Sequence, residues 1–465
     1  MPSLTEANVR HLLRRTEFVD RPHRVARLMT LGSIGAAVDD VMDVRADPPS
    51  ATLDADSTWR RGQQLVAHWM GEMAYADRPF GERMAFFWHG HLCSELGKVN
   101  DSGAMQEQID LFRRRGLGSR TSGGNVAALV KATAVQIAML RYLDNVQNFA
   151  RSPNQNFARE LMELFLLGVG NYTEADVEAA TAAWTGHTQR RWDQPIYEFH
   201  PELHDTTPLT FLGRPINRGD GRLAGNEVID AILGPGRIPV GPRAGATAAH
   251  VAADFLSRKL WQELGEAASG GVPEGVATAM RSALVGEGFD IRPWVRALLT
   301  HDDFYADATK AGLVRQPVEF AVALMVATGS PAQDLWLMQR MGQELLYPPN
   351  VSGWRPNGYW VNASTMAARQ RLAQGYLWLL GKDTWRGDDG YLDLPGGRFT
   401  ARWMREQTDV ALVVDRVLQL TNLTTSVSPT TRAAIVAHLR NPAIRTWQRD
   451  DALLLALSAP DLHIA

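Results

Sequence analysis

The sequence has few cysteines and little net charge, and each shortage excludes a class of protein. Cys93 is the only cysteine in 465 residues, which excludes an intrachain disulfide framework and any multi-cysteine metal site. The 48 basic and 51 acidic side chains nearly cancel, leaving a formal net charge of −3. This balance argues against a dedicated partner among nucleic acids or anionic membrane surfaces.

Long apolar runs are also missing. No stretch reaches the roughly 18 uninterrupted apolar residues of a transmembrane helix, so we expect no membrane span. The first residues lack the basic start and apolar stretch of a secretory signal. This predicts a cytoplasmic protein, although removal of an export signal would leave the same sequence.

Familiar catalytic signatures do not occur. There is no Gly-rich loop ending in Lys-Ser or Lys-Thr, so nucleotide binding by a phosphate-cradling loop is not expected. No Gly-x-Ser-x-Gly elbow and no His-Glu-x-x-His zinc helix is present. No single motif therefore identifies a reaction.

Helical periodicity dominates the rest of the sequence. Apolar residues recur at helical spacing in most segments, and 45% hydrophobic residues are enough for a sizeable core. The sequence therefore predicts a mostly α-helical protein, built as a multi-helical globular array. Predicted helices span residues 34–42, 59–75, 127–143, 248–264, 275–284, 291–299, 318–327, 363–380, 409–420, 430–439 and 447–457.

The middle of the chain has a different composition. Gly, Pro, Thr and Asp become frequent, and residues 196–200 and 209–212 are short enough for strands. We predict an irregular, short-stranded insertion there. The whole chain, 1–465, is predicted to form one unit, with two lobes as a finer division. The predicted parts are an N-terminal helical lobe (1–185), the insertion (186–245) and a C-terminal helical lobe (246–465).

A pair of helices before the insertion has clear boundary signals. Asn154 or Asn156 can cap a helix that ends at Gly168. The next helix opens at Thr173, where Asp176 takes the place of the usual Glu in a capping box. The sequence therefore predicts two successive helices within residues 154–185.

Blocks of sequence along the chain resemble a known family. They are Phe87-Trp88-His89-Gly90-His91, Arg159-Glu160-Leu161-Met162-Glu163-Leu164, Tyr172-Thr173-Glu174-Ala175-Asp176-Val177, His204-Asp205, Arg315-Gln316-Pro317-Val318-Glu319-Phe320 and Pro348-Pro349-Asn350-Val351-Ser352-Gly353-Trp354. They are similar, in order, to a large bacterial family catalogued as a domain of unknown function, number eighteen hundred. The resemblance implies a shared architecture and candidate positions, without a settled activity. The chain departs from the family pattern at Gly90 (Asn expected), Gln155 (Glu) and Leu209 (Lys).

His89 and His91 are candidate metal ligands. On a continuous helix their side chains point about 200° apart, so they meet at one ion only if the helix ends near Gly90 or the segment is extended. Imidazole suits zinc, copper or iron. The alternative is that one histidine is buried and hydrogen-bonded to the backbone while the other faces a loop.

Glu160 and Glu163 lie three residues apart on a predicted helix and therefore share a face. Such paired carboxylates hold metals in helical bundles, or divide acid and base roles when burial separates their pKa values. We take Glu160 as a candidate catalytic residue and metal ligand. The alternative is structural, with Arg159 forming an ordinary helix ion pair with Glu163.

The insertion contributes His204 and Asp205. The histidine is a candidate ligand or base, and the aspartate is its candidate orienting acceptor. The resemblance ranks this pair above His187 and His200. The alternative is a solvated polar loop.

Trp354, Trp360 and Arg315 are candidate substrate-binding residues. The two tryptophans lie on a stiff Pro/Gly-rich segment, which suits sugar rings, apolar ligands or a partner chain. The alternatives are a loop that packs over the core and a local salt bridge between Arg315 and Glu319. Cys93 is expected to be a small buried apolar residue.

Three functions remain open at this point. The first is an enzyme that uses His89, His91, Glu160 and the His204–Asp205 pair, with a divalent metal as candidate cofactor, for hydrolysis or oxidation of an organic substrate. The second is a non-catalytic helical scaffold that docks a partner protein. The third is a carbohydrate-active enzyme that uses carboxylates alone.

Overall fold

The computed structural model describes residues 2–119, 121, 123–217, 219–266, 271–310, 312–355, 357–380, 392–394, 397–399, 401–424 and 426–464. Within these ranges the chain forms 23 α-helices and three two-stranded antiparallel sheets. The predicted mostly α-helical class, with short strands near the middle, is confirmed. None of the described helices combines the length and the apolar composition that crossing a bilayer requires.

Eleven α-helices precede the strands. The last of them, α10 and α11, are the pair with predicted boundaries, and a π-helix, Leu161–Leu166, directly follows α10. The helices are α1 (Glu6–Glu17), α2 (Pro22–Met29), α3 (Ile34–Val41), α4 (Thr58–Tyr75), α5 (Phe80–His91), α6 (Leu96–Val99), α7 (Ser102–Arg115), α8 (Val126–Ala134), α9 (Ile137–Tyr142), α10 (Asn156–Glu160) and α11 (Glu174–Ala183).

The predicted insertion contains two hairpins and one helix. Strand β1 pairs with β2 in a register that places His187 opposite Phe199, and β3 pairs with β4 with Leu209 opposite Ile216. The elements are β1 (His187–Arg191), β2 (Gln194–Phe199), β3 (Leu209–Phe211), β4 (Arg214–Ile216) and α12 (Gly221–Ile232).

The remaining described residues are again mainly helical. They form α13 (Ala248–Leu264), α14 (Glu274–Gly286), α15 (Ile291–Leu299), α16 (Asp307–Lys310), α17 (Pro317–Thr328), α18 (Trp336–Arg340), α19 (Ala363–Leu380), α20 (Ala401–Glu406), α21 (Val410–Leu420), α22 (Pro429–Arg440) and α23 (Asp451–Leu457). A third hairpin, β5 (Leu392–Leu394) and β6 (Gly397–Phe399), lies between α19 and α20.

Two predicted helices differ from the structure. The predicted helix 127–143 is two helices, because Gln136 has an extended backbone and its side chain donates a hydrogen bond to the Glu107 carbonyl. The helix that begins at Asn156 leaves α-helical geometry after Glu160 and continues as a π-helix. The spacing of hydrophobic residues in the sequence does not distinguish an α-helix from a short π-helix.

Helix α5 is buried on nearly all sides. Every residue from Phe80 to His91 except Gly90 is buried, which fits a helix that is apolar around most of its circumference. Trp88 is fully buried and its indole nitrogen donates to the Gly116 carbonyl at 2.7 Å. The charged residues Glu82 and Arg83 on this helix therefore need partners inside the protein.

Contacts join the first helices to the last third of the chain. Arg15 donates to the carbonyl oxygen of Thr309 at 2.6 Å, and the Tyr75 hydroxyl donates to the Met325 carbonyl at 2.8 Å. Val314 and Ile464 form an isolated β-bridge. The division into two lobes stays a prediction.

The capping box of α11 offers a test of local stability. Thr173 accepts a hydrogen bond from the Asp176 amide, and Asp176 accepts one from the Thr173 amide and another from the amide of Leu212 in the second hairpin. We expect Thr173→Ala to lower the free energy of unfolding by about 1 kcal/mol. We expect Asp176→Ala to lower it further, because the buried Leu212 amide also loses its acceptor.

Urea-unfolding midpoints measure both effects. The control is Thr430→Ala, which removes an exposed threonine from the first turn of α22 and should leave the midpoint nearly unchanged. Equal midpoints for wild type and Asp176→Ala would contradict the proposed coupling between α11 and the hairpin.

Candidate functional site

A cleft opens beside the C-terminal half of α5. Its free space is about 620 Å³ when the part open to solvent is included. Its walls come from α5, α13, the residue before α17 and the segment 352–355. The lining residues are Phe86, Phe87, Gly90, His91, Lys259, Gln262, Glu263, Gln316, Ser352, Trp354 and Arg355.

The two predicted histidines point to different sides of α5. The helix ends at His91, one residue after Gly90, but the two rings bind different backbone partners, the Leu346 amide for His89 and the Phe165 carbonyl for His91. His89 is fully buried, its Nε2 accepts a hydrogen bond from the Leu346 amide at 3.1 Å, and its Nδ1 has no partner among the described residues. Burial lowers the pKa of His89 to about 3. His89 is therefore a neutral core residue.

His91 reaches the cleft as a neutral imidazole with a defined tautomer. Its Nε2 lies 2.8 Å from the Phe165 carbonyl oxygen, which only accepts hydrogen bonds, so Nε2 carries the proton. Burial lowers the pKa of His91 to about 3; Lys259 adds to this shift and the bond to Phe165 opposes it. The ring stacks on Phe87 with centroids 5.7 Å apart. Nδ1 is therefore an unprotonated acceptor.

Glu263 is the single carboxylate among the described residues that line the cleft. Both of its oxygens accept hydrogen bonds from the side-chain nitrogen Nε2 of Gln316 at 2.9 Å. The Arg83 guanidinium lies 3.3 Å from one of these oxygens. The side chain is 18% exposed. Burial raises the pKa of Glu263 to about 7; Arg83 opposes this shift and Glu319 adds to it. The group is thus able to exchange a proton near neutral pH.

Arg83 is shared between two carboxylates. Its guanidinium is 1% exposed and forms ion pairs with Glu263 and with Glu319, which is also buried. Glu319 also accepts a hydrogen bond from the backbone amide of Gln316 at 2.6 Å, as part of the capping box of α17. Burial is the main reason why Glu263 is not fully stabilised as an anion, and the neighbouring Glu319 adds to this effect.

Lys259 lies one turn before Glu263 on the same face of α13. Its ammonium lies 5.6 Å from the centroid of the Phe255 ring, in cation–π contact. Burial lowers the pKa of Lys259. No carboxylate of the described residues pairs with it.

The position of Trp354 in the cleft depends on the close approach of Gly353 to the backbone of Gly90. Gly353 has a φ of +75°, and a Cβ at this position would collide with the Gly90 carbonyl oxygen. The segment therefore lies directly on α5, and the Trp354 ring reaches His89 with centroids 5.4 Å apart. The exposed Arg355 follows, with its guanidinium 5.6 Å from the Tyr359 ring centroid.

Glu160 does not line this cleft. It is the last residue of α10, and burial raises its pKa; Glu163 adds to this shift and Arg159 opposes it. The predicted ion pair between Arg159 and Glu163 is wrong. Arg159 pairs with Glu174 at 2.9 Å, and Glu163 accepts a hydrogen bond from the Tyr172 hydroxyl at 2.8 Å.

His204 and Asp205 anchor the insertion. Both ring nitrogens of His204 lie 2.9 Å from protein oxygens, the Thr185 carbonyl and Asn217 Oδ1, so neither nitrogen is left for a ligand. Asp205 accepts a hydrogen bond from the Thr207 amide and does not contact the His204 ring nitrogens. The predicted orienting role of Asp205 toward His204 is therefore not found.

Trp360 and Arg315 are both buried away from the lining of the cleft. Trp360 is 1% exposed. Arg315 is 4% exposed and its Nε donates to the Ile464 carbonyl at 3.2 Å, which ties it to the C-terminal segment. The predicted salt bridge between Arg315 and Glu319 is wrong, since Glu319 pairs with Arg83. Only His91 and Trp354 of the predicted site residues meet in the cleft.

The predicted metal ligands do not form one group. Among the described residues, no cluster of three or more His, Cys, Asp or Glu side chains is arranged to hold a metal ion. Cys93 is buried and its thiol donates to the Gly90 carbonyl at 3.2 Å, as a structural cysteine would. Burial raises the pKa of Cys93 to about 12. A divalent metal stays a prediction.

Residues 11–464 match the sequence profile of the family described as Protein of unknown function (DUF1800). The chain belongs to the DUF1800 family. No curated protein and no solved structure shows significant similarity to it. The match to DUF1800 includes all the segments that line the cleft.

Two residues of the DUF1800 cleft, Lys259 and Glu263, were missed in the sequence analysis. On the sequence they form an ordinary i,i+4 pair of opposite charge, which is typical of an exposed helix face. The available signal was their position within the largely apolar α13 and the charged Arg83 within the apolar α5. Buried charges on separate helices need each other, but the sequence does not say which ones pair.

The raised pKa of Glu263 predicts a pH-dependent stability. Its pKa rises from an ordinary 4.5 to about 7 on folding, so the folded state binds the proton more tightly. The associated stability is fully present below pH 4.5 and is lost as the pH rises through 7. Between pH 5 and 8, we expect wild type to lose on the order of 2 kcal/mol that Glu263→Gln does not lose.

Urea-unfolding midpoints across this pH range test the expectation. Glu178→Gln, at an exposed position of α11, is the matched control and should give a curve parallel to that of wild type. A Glu263→Gln curve that also runs parallel to wild type would show that Glu263 does not change its proton affinity on folding.

Proposed function

We propose that this DUF1800 protein is an enzyme that acts on a small organic substrate in the cleft by acid–base chemistry, with Glu263 as the proton-transferring group. The supporting observation is a carboxylate set into the wall of an open cleft and held by Arg83 and Gln316. Convergent polar groups in an otherwise apolar pocket are typical of active sites.

Hydrolysis is the reaction that suits these groups best. In its ionised form Glu263 accepts a proton from a water molecule, whose oxygen then attacks the electrophilic atom of the substrate. In its protonated form it returns that proton to the leaving group. A pKa near 7 leaves both forms populated at neutral pH, which is the condition for acid–base catalysis.

His91 and Trp354 complete the proposed site. His91 is neutral, and its free Nδ1 accepts a hydrogen bond from a donor on the substrate. The Trp354 ring supplies an apolar wall. Both residues are among those predicted from the sequence, whereas the proposed proton-transferring group replaces Glu160.

The other predicted functions have less support. A carbohydrate-active site with Glu160 and a second acid across a groove lined by Trp354 or Trp360 has less support, because Trp360 is buried and Glu160 does not line the cleft that contains Trp354. Docking of a partner protein stays a prediction. The divalent metal also stays a prediction, which mass-spectrometric metal analysis of the purified protein tests.

Substitution of Glu263 tests the proposal directly. With chromogenic nitrophenyl esters, amides and phosphates as a substrate panel, we expect Glu263→Gln to lower kcat/KM about 100-fold or more. The wild-type rate should change with an apparent pKa near 7. Glu160→Gln and the exposed Glu178→Gln are matched controls and should keep wild-type rates. The reverse pattern, with Glu160→Gln inactive and Glu263→Gln active, would overturn the proposal.

Chemical labelling gives a second readout that needs no substrate. A water-soluble carbodiimide with an added amine modifies carboxyl groups in their protonated form. At pH 6.5, peptide mass spectrometry should find Glu263 labelled well ahead of Glu178. Equal labelling of the two residues would count against a protonated carboxyl in the cleft.

A further inference from the structure

We infer that the cleft takes an organic oxyanion, a carboxylate or a phosphate-type group, which binds Lys259 and Arg355. This inference rests on the proposed function and names its substrate class. It comes from the balance of charged groups in the cleft wall: within the described residues, two cations have no acidic partner, whereas the acid is paired.

Lys259 is the deeper of the two cations. It is partly buried, its ammonium contacts the face of the Phe255 ring, and no carboxylate among the described residues lies within ion-pair distance. A partly desolvated ammonium without a counter-ion is unfavourable in the free protein. A bound anion supplies the missing partner and restores the favourable interaction.

Arg355 is the second cation, at the rim of the cleft. Its guanidinium lies over the Tyr359 ring and, within the described part of the chain, pairs with no carboxylate. An exposed guanidinium presents paired N–H donors, which match the two oxygens of a carboxylate or phosphate. It is thus positioned to meet an anion as it enters.

The single acid in the lining is already engaged. Glu263 pairs with Arg83 and accepts a hydrogen bond from the side-chain amide of Gln316, so it does not neutralise Lys259 or Arg355. His91 is neutral and adds no charge. The cleft therefore presents net positive charge to a ligand, which favours an anion over a cation.

The remaining lining residues indicate what the uncharged part of the ligand is like. Phe86, Phe87 and Trp354 form apolar walls. An aromatic or aliphatic body next to the charged group would bury its apolar surface against these rings. A small arylcarboxylate or arylphosphonate carries both features.

Three probes of the same shape separate charge from shape. Benzoate is an anion, benzamide is neutral and benzamidine is a cation; phenylphosphonate is added to distinguish a carboxylate preference from a phosphate preference. Dissociation constants are measured by calorimetry or ligand-observed NMR with the full chain. We expect one of the anions to bind about tenfold more tightly than benzamide, and benzamidine to bind least.

Variants then locate the binding groups. We expect Lys259→Met and Arg355→Gln each to weaken binding of the preferred anion about tenfold and to leave benzamide binding unchanged. Arg432→Gln, which removes an exposed arginine far from the cleft in sequence, is the matched control. Circular dichroism checks the fold of Lys259→Met, and Arg355→Gln provides an exposed second position that does not depend on core packing.

Three results would overturn the inference: no binding of either anion at millimolar concentration, benzamide or benzamidine binding as tightly as the anions, or unchanged anion binding in both variants. The Glu263→Gln variant separates this inference from the proposed function. If Glu263→Gln binds the anion normally, the binding site stands whatever the turnover assays show. If anion preference is absent but Glu263→Gln loses turnover, the proposed function stands and the substrate class is wrong.

Discussion

The cleft depends on one buried guanidinium. Arg83 lies on α5 and binds Glu263 on α13 and Glu319 on α17, so one side chain joins three helices that are far apart in sequence. Losing one partner from such a cluster leaves a buried charge without compensation, at a cost of roughly 3–5 kcal/mol. Arg83 therefore joins the helices, and it opposes the rise in the pKa of Glu263 that burial causes.

Part of this architecture was predictable from the sequence. The helical class, the capping box at Thr173 and the role of Cys93 follow from local patterns, and the structure contains them. His91 and Trp354 were each recognised, but their meeting depends on how segment 352–355 lies on α5. Local sequence patterns define the buried faces and the boundaries of helices. The pairing of Arg83 with Glu263 depends on tertiary packing, which brings together two of the many charged residues in the sequence.

A departure from the family resemblance bears on the shape of the cleft. Gly90 stands where the resemblance leads us to expect Asn, and a Cβ at this position would lie 3.9 Å from the Trp354 ring, an ordinary contact. A Cβ there would thus fit beside Trp354. Gly353, by contrast, admits no Cβ because of the Gly90 carbonyl. The first glycine therefore affects cleft size, and the second fixes where the tryptophan lies.

Two charged groups in the cleft wall are incompletely neutralised. Glu263 is an acid and Lys259 is a base, so the uncompensated charges have opposite signs. At Glu263 two acids share one guanidinium, and at Lys259 a partly buried ammonium has no acid among the described residues. Exchange of a proton relieves the first condition, and binding of an anion relieves the second. Each arrangement costs stability in the free protein, and a purely structural core would gain by replacing Lys259 with an apolar residue of similar volume. Uncompensated charge around an open space is what distinguishes this cleft from the filled, hydrogen-bonded surroundings of His204.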